Sequence, residues 1–473
     1  MTKHWLITLV GLVLLSGCAS VANHQAETRA TEQYLASLNF AVEADNRATD
    51  TANESQWWLA YDDPQLNRLV AVAQRSSLDL LASQKRIDST LALLGESRSA
   101  LLPQGDLGAD YTVAERAGVK EEAASVGAAA RWELDLFGRL RSLIEARESD
   151  LELALQTQRE IVKEVTVGVV RGYLTWEAAD ERVALIRRDI ESLEASLGLI
   201  DARVSEGLAP RLDLVRARSL LRQQKTRLPG ALAERYRAKA VLAVLVNEDP
   251  DSLHLVAGRQ ALDAAVPVPA ADNLANALKY RADIAGALAN VAREVALTEA
   301  ATAELYPQIT LDGFAGLTNI AERSDGFEDA WSLMPRISWS VLSYPALLNR
   351  LDSQRAASDE AYIRYRQTVI NAVADARVAV VNVRQTAEAD GASANALASA
   401  KEAYEIAEAM HAEGAIGYLE FLDASRTWIA AQQTRLEAKL GLADARLSLI
   451  SEFSGLWTAQ TQSRLLTPLT ASR

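Results

Sequence analysis

Two proline-free stretches of nearly 70 residues each, 138–206 and 347–413, constrain the fold of this chain more than any other feature. A helix of that length would extend for roughly 100 Å. Helices of globular domains are much shorter. The first stretch carries apolar residues at intervals of three, four and seven, as in the contact face of a coiled coil. These residues are Leu140, Leu143, Ile144, Leu151, Leu155, Val162, Val165 and Val169. The pattern predicts long helices that pack side by side.

The two stretches belong to two copies of one plan. Leu-Leu-Pro-Gln at 101–104 recurs as Leu-Tyr-Pro-Gln at 305–308, and the segment around Gly207 recurs around Gly414, at offsets close to 207 residues. Such a period is far too long for a solenoid repeat. In each copy the sequence predicts a helix, a strand pair, the long helix, a Gly-containing turn and a return helix. The chain is therefore predicted to be a tandem duplication.

The strand pairs are predicted from alternation with period two, at about 104–137 and 308–343. Apolar side chains face one way and polar or small ones the other. In the first copy the apolar set is Val126, Ala128, Ala130, Trp132, Leu134 and Leu136, and the opposite set is Gly127, Ala129, Arg131, Glu133 and Asp135. A soluble β-sandwich strand has the same pattern, but the long helices that follow argue against a sandwich.

Four two-faced strands cannot close on themselves, and an open sheet edge is not tolerated in hydrocarbon. Single-chain membrane barrels begin at about eight strands, and homo-oligomers usually have closed symmetry. The predicted fold class is therefore mainly α with a small β part, containing four transmembrane strands and long coiled-coil helices per protomer. Three protomers would form a β-barrel of about twelve strands with a polar lumen, continuous with an α-barrel.

The N-terminus has the layout of a secretory signal. A charged start precedes an apolar run over 6–15, which is too short to span a bilayer. The next residues, Leu-Ser-Gly-Cys at 15–18, resemble a bacterial lipobox, in which cleavage leaves a lipidated cysteine at the new N-terminus. We therefore expect a signal peptide at 1–17 and lipidation of Cys18, the single cysteine of the chain. An ordinary signal peptide with an incidental cysteine is the alternative.

Composition and motifs disfavour several other classes of protein. The net charge of -14 and the absence of a Lys/Arg-rich face argue against a nucleic-acid partner. One cysteine excludes a disulfide framework and a cysteine-rich metal site. The sequence has no phosphate-binding Gly loop, zinc signature or Gly-x-Ser-x-Gly motif, and its histidines lack metal-binding spacing. We expect no enzyme activity, no cofactor and no bound metal.

Several motifs resemble the outer-membrane factor family of tripartite efflux pumps, the TolC-like proteins and especially their OprM- or NodT-like lipoproteins. The motifs are Trp57-Trp58, Tyr-Asp-Asp-Pro-Gln-Leu at 61–66, Arg-Trp-Glu-Leu-Asp-Leu-Phe-Gly-Arg-Leu-Arg at 131–141, and the two Gly turns. The Trp-Glu-Leu-Asp-Leu-Phe-Gly run is the most specific. The second copy departs from the family pattern after Trp339, where relatives carry a Gly-Gly-Arg-like corner, so the turn there is not predicted.

The resemblance implies an outer-membrane exit duct that passively conducts drugs or other small molecules and is gated at its periplasmic end. A lipid-anchored homotrimer would sit in outer-membrane lipid with a large periplasmic part, and an adaptor (membrane fusion) protein and an inner-membrane RND transporter would be its partners. An exit duct for type I secretion and a non-channel envelope lipoprotein with partner-binding helices remain alternatives.

The resemblance also divides the chain. We expect a lipidated and equatorial segment, a first repeat, an equatorial linker, a second repeat and an equatorial tail. Their bounds are 18–62, 63–246 (long helix 138–206, return helix 211–246), 247–273, 274–454 (long helix 347–413, return helix 419–454) and 455–473.

Acidic residues near the second Gly turn are the candidate gate. In the TolC-like family, acids after this turn ring the periplasmic opening, and the matching residues are Glu420 and Asp423, with Asp213 in the first copy. Crowded carboxylates attract cations, and charge rings set selectivity in pores. The alternative is that acids near a helix start interact with the helix dipole. A basic residue that often completes the family's latch is replaced by Ile416, so that latch is not expected.

The two Gly turns are the candidate adaptor-docking tips. Gly207 and Gly414 suit the left-handed conformation that ends a helix, and exposed apolar residues beside them call for a partner. The proposed tip residues are Gly207, Leu208, Ala209, Gly414, Ala415 and Ile416. A plain hairpin turn that contacts nothing is the alternative.

Overall fold

The computed structural model describes residues 51–116, 119–258, 261–264, 266, 278, 280–320 and 326–453. Cys18, the predicted signal peptide and the predicted tail lie outside these residues. Short 3₁₀ segments occupy Thr51–Tyr61 and Val341–Ser343. The other described elements are α1 (Pro64–Ser76), α2 (Leu78–Ser99), β1 (Gln104–Arg116), β2 (Val119–Leu134), α3 (Arg139–Ser205), α4 (Arg211–Val246), α5 (Ala282–Ala303), β3 (Gln308–Ile320), β4 (Glu328–Ser338), α6 (Tyr344–Ala412) and α7 (Tyr418–Glu452).

The element order repeats once along the chain. Helix, two strands, long helix and return helix appear as α2-β1-β2-α3-α4 and again as α5-β3-β4-α6-α7. The long helices begin and end within three residues of the predicted stretches. Of the helices described, none is both long enough and apolar enough to cross a membrane.

The chain divides into two compact units, each built from both copies. One unit contains Ser83–Gln158 and Ala282–Val369, and therefore the four strands of the described residues. The other contains Arg159–Arg281 with the described parts of the flanking segments, 51–82 and 370–453. The division falls inside α2, α3 and α6.

The strands form one antiparallel sheet in the order β1-β2-β3-β4. The register puts Leu107 opposite Ala128 and Ala315 opposite both Ala128 and Trp331, so these residues share the apolar face. Leu107 is 87% exposed and Trp331 78% exposed in the single chain. Because large apolar side chains rarely cover a water-facing sheet, this face requires an apolar environment. The opposite face carries Arg131 and Asp312, which form an ion pair at 2.7 Å.

The corner between β2 and α3 explains the most specific motif of the sequence. The Asp135 carboxylate accepts hydrogen bonds from the backbone N–H groups of Leu140 and Arg141, both at 3.0 Å, and so caps the long helix. Gly138 provides the positive φ of 82° that the turn requires. Arg139 binds Glu133 through both carboxylate oxygens. Since β2 ends at Leu134, the predicted strand residue Leu136 lies in this corner instead.

The second copy builds its corner differently. Trp339 follows β4, the 3₁₀ turn Val341–Ser343 comes next, and α6 begins at Tyr344 without an acidic cap. One feature is shared with the first copy. In both, a tryptophan near the end of the hairpin donates its indole N–H to the backbone carbonyl two residues before the proline that precedes the hairpin. The pairs are Trp132 with Leu101 at 2.9 Å and Trp339 with Leu305 at 3.0 Å.

The motif at 61–66 joins α1 to α3 in the second unit. Asp63 caps α1 by accepting the N–H groups of Gln65 and Leu66. Its other oxygen accepts a 2.7 Å hydrogen bond from the Tyr173 hydroxyl on α3. Leu66 belongs to a buried cluster with α3, α4 and α7 residues, including Val170, Leu242 and Leu447.

Candidate functional site

The two Gly turns, at the ends of α3 and α6, have the same backbone geometry. Gly207 and Gly414 have φ values of 75° and 76°, the left-handed conformation predicted for them. In each turn the N–H after the glycine donates to the carbonyl five positions back, at 2.8 Å in both cases: Leu208 to Arg203, and Ala415 to Met410. These bonds form a Schellman motif, which satisfies carbonyls left free at the helix end.

The proposed tip residues differ in their exposure. Leu208 is 72% exposed, and Ala415 is exposed beside the second glycine. Ala209 is half-buried. Ile416 is also half-buried and packs against the cluster that joins the hairpins, so its side chain contributes to packing within the chain.

A buried apolar cluster, the tip cluster, joins the first helical hairpin (α3 and α4) to the second (α6 and α7). Its buried members are Leu193, Ile200, Leu214, Ala217, Leu220, Leu221, Tyr404, Ala407, Tyr418, Phe421 and Leu422. The first hairpin supplies aliphatic side chains and the second mainly aromatic ones. His411 stacks on Phe421 with ring centroids 5.4 Å apart, and Tyr404 stacks on Trp428 at 4.5 Å.

The Tyr418 hydroxyl lies where both hairpins meet. Burial raises its pKa, a hydrogen bond with Ser196 on α3 lowers it, and the nearby carboxylate of Asp213 on α4 raises it further. The first residue of α7 is therefore in electrostatic contact with α3 and α4.

The candidate acids differ between the copies. Asp213 forms an ion pair with Arg216, with Nη1 and Oδ1 3.5 Å apart, and its side chain is largely buried. At the offset of 207 residues, the matching positions in α7 are Glu420 and Asp423, so an acid stands where the first copy has Arg216. Both acids are exposed, and the described residues include no ion-pair partner for either. The first copy is thus neutralised where the second carries two negative charges.

The Glu420 carboxylate turns back towards the start of α7. A Cβ placed on Gly417 would lie 2.9 Å from Glu420 Oε2. An acid in the first helical turn is favoured by the helix dipole, so Glu420 stabilises its own helix as well as presenting charge. Asp423 lies one turn further along.

Aligning the two copies would have revealed two features of this site that reasoning on each motif alone missed. One is the Asp213–Arg216 pair, whose residues are spaced three apart on a predicted helix. The other is the aromatic character of the second tip, where His411, Phe421 and Trp428 replace Val204, Leu214 and Leu221.

Comparison with known proteins assigns the chain to a family. A family model described as outer membrane efflux protein matches residues 69–248 and 273–451, most of the chain. The chain belongs to the outer membrane efflux protein family. The two matched segments are the two copies of the duplicated plan. The predicted family, fold class, outer-membrane location and efflux role are therefore confirmed.

Relatives of this outer membrane efflux protein match it over nearly their whole length. It is 28% identical to the toluene efflux pump outer membrane protein TtgF of Pseudomonas putida, covering 97% of this chain and 98% of the relative. It is 25% identical to nodulation protein T of Rhizobium leguminosarum bv. viciae, covering 92% and 90%. The structure of the outer-membrane channel OprN superposes with a TM-score of 0.80 at 26% identity, covering 89% of this chain and 97% of that chain.

Proposed function

We propose that this protein is the exit duct of a tripartite efflux system, a homotrimer that passively conducts small molecules across the outer membrane. The observation that carries the proposal is the four-stranded sheet, which has a strongly exposed apolar face and in which β1 and β4 each have one strand partner among the described residues. In lipid such edges must be paired. Three sheets joined edge to edge would give about twelve strands, a size at which a barrel holds a polar channel.

The partners belong to the same proposal. The family of efflux pump proteins supports an adaptor that docks at the tips and an inner-membrane RND transporter that drives transport. The 15–18 lipobox supports lipidation of Cys18 as the anchor in outer-membrane lipid. The absence of enzyme activity is proposed from the channel and transport character of the relatives.

The gate is proposed at Glu420 and Asp423. Three protomers would bring about six carboxylates to the periplasmic opening, and the replacement of the basic position of the first copy by Asp423 supports a negative ring there. Asp213 was a candidate for the same ring; its ion pair with Arg216 supports a structural role instead.

The proposal is tested by recording ionic current from the purified full-length protein in planar bilayers. The wild type should conduct, and trivalent cations added on the periplasmic side should block the current. Replacing both acids, Glu420→Ala with Asp423→Ala, should abolish the block because the cation loses its carboxylate ligands.

The matched control is Asp201→Ala, which removes an exposed acid of α3 that pairs with Arg218. It should leave the block intact. A wild-type protein that carries no current would end the exit-duct proposal, whereas unchanged block in the double variant would remove only Glu420 and Asp423 from the gate.

A further inference from the structure

A buried carboxylic acid lies between the two helical hairpins, away from the tips. Asp189 on α3 is only 5% exposed. Its Oδ2 receives one long hydrogen bond, 3.5 Å from Nε2 of Gln224 on α4. A buried carboxylate can accept about four hydrogen bonds, so this one is poorly compensated when ionised.

Two glutamine side chains lie beside Asp189, and each has a polar atom that lacks a hydrogen-bond partner in the described part of the chain. Gln224 is 2% exposed, and its Oε1 has no hydrogen-bond partner among the described residues. Gln432, on α7, faces the same carboxylate, and its Nε2 also makes no well-formed hydrogen bond within the described chain. Such atoms are rare in protein interiors because each costs free energy. Gln224 Oε1 is thus a buried acceptor that lacks a hydrogen-bond donor in the structure described.

Protonation of Asp189 supplies that donor. A neutral carboxylic acid pairs with a primary amide through two hydrogen bonds, one in each direction. The acid O–H would donate to Gln224 Oε1 while Gln224 Nε2 donates to the acid carbonyl. The buried group then carries no net charge, and the orphaned oxygen is satisfied.

The electrostatics of the site agree with the geometry. Burial raises the pKa of Asp189 from 3.8 to about 6, against the opposing effects of Arg188 on the same helix, the Gln432 amide, and Arg227 on α4. The pKa of Asp189 is higher when the side chain is buried than when it is hydrated. Ionisation therefore destabilises the packing of α7 against α3 and α4. The destabilisation is absent below pH 3.8 and is fully present above about pH 6.

We propose that Asp189, Gln224 and Gln432 form a proton-sensitive clasp, which holds α7 against the first hairpin when Asp189 is protonated and loosens when it ionises. α7 covers Asp189 through Gln432 and also carries Glu420 and Asp423. Movement of α7 away from α3 hydrates Asp189 and shifts both acids. This deepens the exit-duct proposal, on which the effect on the gate rests. It predicts that low pH favours the closed state of the channel.

The clasp is tested by the pH profile of the full-length protein in planar bilayers. Two pKa units change a two-state equilibrium by up to about 100-fold, so the open probability of the wild type should rise between about pH 4 and pH 6. Asp189→Asn mimics the protonated state and should stay closed across this range. Asp189→Glu keeps a titratable group and should retain a pH step.

Two further variants make the test specific. Asp201→Asn makes the same chemical change at an exposed position of α3 and should keep the wild-type profile. Gln432→Met removes the α7 amide that favours ionisation and should move the step to higher pH. A wild-type step in Asp189→Asn, or an unmoved midpoint in Gln432→Met, would overturn the clasp.

A second readout separates the clasp from the exit duct. The Tm of the detergent-solubilised protein should be higher for Asp189→Asn than for the wild type at pH 8 and the same at pH 4. If the wild type carries no current, the exit-duct proposal fails, and this Tm difference still decides whether the clasp exists. Equal Tm values at pH 8 would refute it.

Discussion

At the scale of single residues, the duplicated chain supplies its own comparisons. Asp213 and Glu420 occupy matching positions, yet Arg216 neutralises the first and Asp423 adds to the charge of the second. Likewise Asp135 caps α3, whereas its counterpart Leu342 is exposed and caps nothing. The two copies share a fold but have diverged at the positions that carry charge.

The Asp135 cap can be tested by substitution. Asp135→Ala removes both hydrogen bonds to the first N–H groups of α3 and the ion pair with Arg141, so it should destabilise the protein by about 1–2 kcal/mol. Thermal unfolding followed by circular dichroism measures the change. Leu342→Ala alters the matching position of the second copy and should have little effect. Equal losses from the two variants would show that the cap contributes nothing.

At the scale of elements, the residues that end helices and strands determined what could be predicted from the sequence. Glycine and proline set the ends of the helices, so the return helix predicted at 419–454 is observed at Tyr418–Glu452. Alternation predicted the two-faced strands, but not where β2 ends, because the corner is set by hydrogen bonds to Asp135. The second corner has no such acid, and its 3₁₀ turn was not predictable.

Packing between elements was the part that sequence periodicity could not supply. The sequence predicts Ile416 to be an exposed tip residue. In the structure it packs against the tip cluster, whose residues come from four helices. The buried Asp189 was missed for the same reason, since only the packing of α3, α4 and α7 leaves it 5% exposed. The left-handed glycines, by contrast, follow from local chemistry alone.

The tips provide the prediction at this scale. Leu208 is exposed in the first turn, and Leu212 and Val215, three residues apart on α4, are more than half exposed. Leu208→Glu and Ala415→Arg should therefore reduce efflux in cells, because a charge would be buried at the adaptor contact, without lowering the amount of trimer in the membrane. Dye accumulation and membrane immunoblots measure the two quantities.

Ser219→Glu is the matched control for the tips. It adds a charge to an exposed position of α4 beyond the tip and should not change efflux. Normal efflux by both tip variants would exclude Leu208 and Ala415 from the docking surface.

At the scale of the whole molecule, the account depends on sheets from different copies completing each other. Within one chain, β2 and β3 separate β1 from β4, and neighbouring strands lie about 4.8 Å apart. Side chains on β1 and β4 of the same chain are thus too far apart for a disulfide, which requires Cβ atoms within about 4.5 Å.

Disulfide cross-linking between β1 and β4 tests this claim most directly. Cysteines are introduced in turn along β1, from Leu107 to Val113, together with Trp331→Cys on β4, and the protein is oxidised in native membranes. The account predicts that pairs in register give a covalent species of three chains, reversed by reductant, while the wild type gives none. Membrane-inserted protein that forms no cross-link between chains at any position would contradict it.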